Sequence, residues 1–95
     1  MDQKIQLLHP EGKHAVRIDK LKYDLFRNTL LKCLKSGSEF THTELVNAVI
    51  IDFRKNNIEF EGSLEWYLES VKLDLEARKE INRIKDKSTV RFRIY

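Results

Sequence analysis

From Gly62 to Tyr95 the chain reads GSLEWYLESVKLDLEARKEINRIKDKSTVRFRIY, and this stretch leaves few folds open. Leu64, Leu68, Val71 and Leu75 recur at steps of four, three and four, the spacing of one buried stripe on a helix. Trp66, Ser70, Leu73 and Ala77 form a second stripe, roughly 180–240° from Leu64 on a helical wheel. Two strands follow at once, Ile81 to Ile84 and Thr89 to Tyr95, joined by Lys85-Asp86-Lys87-Ser88. Val90, Phe92 and Ile94 alternate with Arg91, Arg93 and Tyr95, so one face of this hairpin is expected to be buried and the other wet. The residues before Gly62 must supply the layer against which both elements pack.

Those residues divide readily. Lys4 to Leu8 and Ala15 to Ile18 are short apolar runs flanking His9-Pro10-Glu11-Gly12. Proline second and glycine fourth suit a tight turn, which predicts an N-terminal β-hairpin. Asp19 is positioned to cap a first helix through its carboxylate. Tyr23, Phe26, Leu30 and Leu34 give that helix its stripe, with Lys20, Lys22, Arg27, Lys32 and Lys35 around it and Ser36-Gly37 as its stop. Ser38 to Phe40 reads as a three-residue strand. Thr41 and Glu44 then have capping-box spacing, with Phe40 placed to staple onto Leu45. The second helix, about 42–55, is apolar over most of its circumference (Leu45, Val46, Ala48, Val49, Ile50, Ile51, Phe53), so the N-terminal hairpin or another subunit is expected to cover it. Asn56-Asn57 ends it, and Ser63 caps the third.

Ninety-five residues support one core and one domain. The expected class is α+β: three helices (19–78) and a C-terminal hairpin wing (81–95), the order of a winged helix, with an extra N-terminal hairpin (1–18). The chain also resembles a family of small bacterial proteins of unknown function with a winged-helix-type domain. The resemblance rests on GKHAVRIDKLKYD (12–24), FTHTEL (40–45) and WYLESVKLDLEARKEINR (66–83). It implies the fold and no catalytic or binding residue. Where that family tends to place glycine after the third helix, this chain has Lys79-Glu80, which implies a tighter or more strained turn into the wing.

Charge decides how this fold can be used. Net charge is +3, yet residues 79–95 carry +4 and Glu59 to Glu76 carry −5. Two readings follow. In one, the wing lays Arg83, Lys85, Lys87, Arg91 and Arg93 along DNA or RNA phosphates, with Arg17, Lys20 and Lys22 extending the patch. A recognition helix contacts bases with its N-terminal residues; here Glu61, Glu65 and Glu69 would repel the polyanion, so contact is expected to be wing-led and weakly sequence-specific. In the other, the stripe of Trp66, Leu73 and Ala77 meets a protein partner or a second copy, with tryptophan as anchor. Covering of Trp66 by the N-terminal hairpin is the plainer outcome for that residue, and charge on the wing can serve merely to protect a strand edge. No phosphate-binding loop, nucleophile motif or metal-ligand spacing is present, and His9 and His14 lack a third ligand. A non-enzymatic module with no cofactor, metal or small-molecule substrate is therefore expected. Cys33, the single cysteine, fits a reducing cytoplasm. No apolar run approaches the ~20 residues of a membrane span, and MDQKIQLLHPEGK lacks a secretory pattern.

Overall fold

The computed structural model describes residues 3–95. In chain order it contains β1 (Lys4–Gln6), β2 (Arg17–Asp19), α1 (Lys20–Cys33), a 3₁₀ turn (Lys35–Gly37), α2 (His42–Lys55), α3 (Leu64–Ala77), β3 (Ile81–Asp86) and β4 (Thr89–Ile94). Three helices with an antiparallel hairpin before them and another after them make an α+β chain, as expected.

Local chemistry sets the helix limits. Thr41 Oγ1 accepts from the Glu44 amide at 3.2 Å while the Glu44 carboxylate accepts from the Thr41 amide at 2.8 Å, so the capping box of α2 is complete. Ser63 Oγ accepts from the Trp66 amide at 3.1 Å and starts α3. Asp19 departs from expectation. It occupies the N-cap of α1, but its side chain caps nothing. The register places it opposite Lys4, whose Nζ holds the carboxylate at 2.8 Å, so a cross-strand ion pair takes the place of the cap.

Two helices end through a residue in the left-handed region. After α2 this is Asn57 (φ +55°), with the Ile58 amide on Phe53 O at 2.8 Å. After α3 it is Lys79 (φ +62°), with the Glu80 amide on Leu75 O at 2.9 Å. Glycine usually takes this position because a Cβ is unwelcome there, and asparagine is tolerated because its short polar side chain can hydrogen-bond locally. The strain expected at Lys79-Glu80 has this local form.

The N-terminal hairpin is shorter than its apolar runs. Lys4, Ile5 and Gln6 pair with Asp19, Ile18 and Arg17, and one hydrogen bond extends the ladder at each end, the Lys20 amide to Gln3 O at 2.9 Å and the Leu7 amide to Val16 O at 3.0 Å. The His9–Gly12 turn closes through the Gly12 amide on His9 O at 2.9 Å. Leu8 leaves the ladder because its amide donates instead to the Asp74 carboxylate at 2.8 Å. At the other end, β3 and β4 are longer than expected. Lys85 and Asp86 pair with Val90 and Thr89, leaving a two-residue loop, Lys87-Ser88, with Lys87 at φ +56°. The short strand expected at Ser38–Phe40 survives as one antiparallel bridge between Phe40 and Phe92, with both backbone hydrogen bonds made (3.0 and 2.7 Å).

The core joins both hairpins to all three helices: Leu7 and Ile18, then Tyr23, Phe26, Leu30 and Leu34, Leu45, Val49 and Phe53, Leu68, Val71 and Leu75, and finally Ile81 and Phe92. Phe26 is its aromatic centre, edge-on to Phe53 (5.5 Å) and Phe60 (4.9 Å). The covering expected for α2 is not complete. Only Leu45, Val49 and Phe53, one i, i+4, i+8 line, are buried, and Ile51 remains 63% exposed. The N-terminal hairpin lies instead on α1 and is tied to α3 through Asp74.

Candidate functional site

The C-terminal hairpin does not present its five cations on one face. In an antiparallel pair, residues directly opposite each other project to the same side. The β3–β4 register sets Arg83 opposite Phe92 and Lys85 opposite Val90, on the side whose Phe92 is buried. Arg91 and Arg93 lie on the other side with Ile84 and Asn82. Lys87 sits in the loop between. The single basic face expected from the alternation of β4 is thus corrected: the hydrophobic pattern of one strand cannot reveal the register of its partner.

Arg83 belongs structurally to α3. Its Nε and Nη2 donate to Glu76 Oε1 and Oε2 at 2.8 and 3.3 Å, and its guanidinium lies 5.1 Å from the centre of the Phe92 ring. The bidentate carboxylate bond pushes the Arg83 pKa upward. Arg93 Nη1 stands 3.7 Å from Glu39 Oε2. Among the described residues, Lys85, Lys87 and Arg91 make no ion pair. Two of the five candidates, Arg83 and Arg93, are therefore matched by carboxylates in ion pairs, Arg91 acts on the Glu44 carboxylate without an ion pair, and Lys85 and Lys87 stand at or near the tip with no ion pair.

The acidic segment is likewise divided. Asp74 is no part of an exposed acidic face: it is 0% exposed and accepts from the Tyr23 hydroxyl at 2.7 Å, the Leu8 amide at 2.8 Å and Arg78 Nε at 2.8 Å. Burial, then the bond to this carboxylate, raises the Tyr23 pKa above its ordinary value. On the opposite flank of the core stripe Lys72 is only 2% exposed, its ammonium 4.0 Å above the Phe92 ring, 2.9 Å from His42 Nδ1 and 3.3 Å from Glu69 Oε2. Burial pushes its pKa down, against the pull of Glu69. His42 Nε2 in turn lies 3.3 Å from Glu65 Oε1. Lys72 and Asp74 fall roughly 70–90° either side of the core stripe on a helical wheel, which was the available signal that both border the core.

A groove opens where the N-terminal hairpin meets α3. Trp66, Ser70 and Leu73 form one wall, and Leu7, Leu8, His9, His14, Ala15 and Val16 the other, around a space of about 180 Å³. Trp66, Val16 and Leu8 are 45%, 44% and 43% exposed. The indole is held edge-on to Tyr67 at 4.9 Å. Leu73 is half-buried in the groove, and Ala77, also half-buried, lies beside a second hollow lined by residues of the hairpin turn. The hairpin thus partly covers the lower stripe, while Trp66 stays open. Leu8 and Val16 were not singled out by sequence. Strand alternation signals Leu8, which follows the inward Leu7, but not Val16, which stands two residues before the buried Ile18 and so shares its strand face.

Among the described residues no group of three or more His, Cys, Asp or Glu side chains is arranged to hold a metal ion, and no helix is long and apolar enough to cross a membrane. Residues 4–92 match a family model described as "Family of unknown function (DUF6958)", and the chain belongs to that family. Neither a curated protein nor a solved structure matches it.

Proposed function

We propose that this member of that family is a non-enzymatic, winged-helix-type module that binds a protein partner through the groove between its N-terminal hairpin and α3. One observation carries the reading: Leu8, Val16 and Trp66, three large apolar side chains each more than two-fifths exposed, converge on a preformed concavity. A tryptophan held edge-on by Tyr67 loses little freedom on binding and makes an economical anchor. Pairing of Glu76 with Arg83 and of Glu39 with Arg93 supports the same choice, since it removes two of the five cations on which a nucleic-acid surface would depend. Glu65 and Glu69 on α3 would face any phosphate brought to the helix. Cytoplasmic action belongs to the same reading, supported by a lone Cys33 with nothing to bridge to. The test is immobilised full chain against a Trp66→Ala variant with unchanged circular dichroism, each used to capture and identify partners from the native cell. A partner set identical for both chains removes the groove from the function.

Lys85 and Lys87 favour a second reading, weak contact of the wing tip with DNA or RNA, because neither makes an ion pair among the described residues; Arg91 makes none either but already acts on the Glu44 carboxylate. Under it, Lys85→Ala plus Lys87→Ala lowers affinity for labelled duplex at low salt, while Arg83→Met leaves it nearly unchanged. Equal losses from both would show that the Glu76 pair does not neutralise Arg83 toward phosphate.

A further inference from the structure

We infer that the occupant of the groove is a basic amphipathic segment of the partner protein: one bulky apolar side chain against Trp66, with lysine or arginine turned toward the first turns of α3. The inference rests on the groove reading and goes beyond it in naming the partner's chemistry. Size excludes most alternatives. A space of about 180 Å³ falls below the ~300–1,000 Å³ of small-molecule sites and suits a single large side chain.

The charge of the two walls then selects the flanking residues. Outside the groove's own lining, α3 and the residues before it carry Glu61, Glu65 and Glu69, of which Glu69 is paired with Lys72 at 3.3 Å. Glu61 is exposed and makes no ion pair among the described residues. The Glu65 and Glu69 side chains are 68% and 41% exposed, although each touches His42 and Glu69 also pairs with Lys72, which leaves Glu61 and Glu65 as the less matched charges. Glu69 projects within about 60° of Trp66 and Leu73 on the helix, so its carboxylate borders the apolar strip. The hairpin side carries Arg17, exposed, and Lys13, which is paired with Glu11 at 3.2 Å. Cations on an incoming segment are therefore drawn to one wall and repelled by the other, which fixes its orientation as well as its composition.

A random library of 12-residue peptides, displayed and selected on the immobilised full chain, tests this directly. Binders that Trp66→Ala abolishes are kept and sequenced. The expected set carries one Leu, Ile, Phe or Met with two or more Lys or Arg beside it, and Glu61→Gln plus Glu65→Gln weakens its members on the order of 10-fold, an effect that shrinks with added salt. Both glutamates are on the surface, so this variant keeps the fold even if Trp66→Ala does not. Trp66-dependent binders that are neutral or acidic, or that ignore the glutamine changes, overturn the inference and leave the groove reading standing. Self-association through Trp66 in sedimentation also overturns it, making a second copy the occupant. A library with no Trp66-dependent binder removes both.

Discussion

Replacing Asp74 by alanine is the most searching test of how the molecule is held together. Its carboxylate is fully buried and receives three donors from three parts of the chain: Leu8 in the N-terminal hairpin, Tyr23 in α1 and Arg78 at the end of α3. Without it the Tyr23 hydroxyl and the Leu8 amide lose their acceptor, at about 1–3 kcal/mol for each donor left buried and unsatisfied. The Arg78 side chain is 34% exposed, and water can replace part of what it loses. The sum is about 3–4 kcal/mol, toward the lower end of the ~3–5 kcal/mol expected for breaking a buried charged pair. Against a total stability of about 5–10 kcal/mol for a domain this size, urea denaturation followed by Trp66 fluorescence should give a midpoint lowered by roughly a third to four-fifths. Tyr23→Phe alone should cost about 1–2 kcal/mol. The double variant should cost less than the two added together, by about 1–2 kcal/mol, since both remove one shared bond. Simple additivity, or a loss below about 1 kcal/mol for Asp74→Ala, would refute the view that this carboxylate clamps the hairpin to the helices.

Other expectations follow from single features. Lys79→Gly should raise stability by about 0.5–1 kcal/mol in urea melts, because glycine takes the left-handed position without the Cβ penalty; a loss would mean the lysine side chain contributes more than its backbone strain costs. Thr41→Ala should lower stability by about 1 kcal/mol through loss of the α2 cap, and an unchanged melt would count against the capping box. The Tyr23 phenol holds its proton more tightly in the folded chain than in the unfolded one, so its contribution is present below the ordinary tyrosine value of 10.0 and is lost as pH rises beyond it. Tyr23→Phe should therefore lose less stability than the parent chain between about pH 9 and about pH 11; parallel losses would contradict the assignment.

Element order and most helix limits were legible because short-range rules govern them. Thr41 and Glu44 three apart, Ser63 before an apolar stripe and Asn57 after another each act within one turn. The site was less legible because it depends on pairings across the chain. Arg83 looked like a wing cation until the register set it opposite Phe92 and beside Glu76. Asp74 counted as surface charge because nothing local announces that Leu8, sixty-six residues earlier, will donate to it. Asp19 satisfied a local rule and was still diverted, since Lys4 across the strand offered a full charge. Trp66 shows the same limit from the apolar side: periodicity placed it outside the core, but only the path of the hairpin made it one wall of a groove.

The bridge between Phe40 and Phe92 has a kinetic consequence. It links residues fifty-two apart with two hydrogen bonds, and Phe92 brings the ring on which Lys72 rests. Closing so long a loop costs entropy before the contact gives anything back. The three helices can find each other through nearer neighbours, whereas this pairing must wait for most of the chain to be collected. Refolding should therefore be slower than for a plain three-helix bundle of equal length. Loosening the β3–β4 hairpin should uncover Phe92 and Phe40 together, leaving a sticky, partly open species.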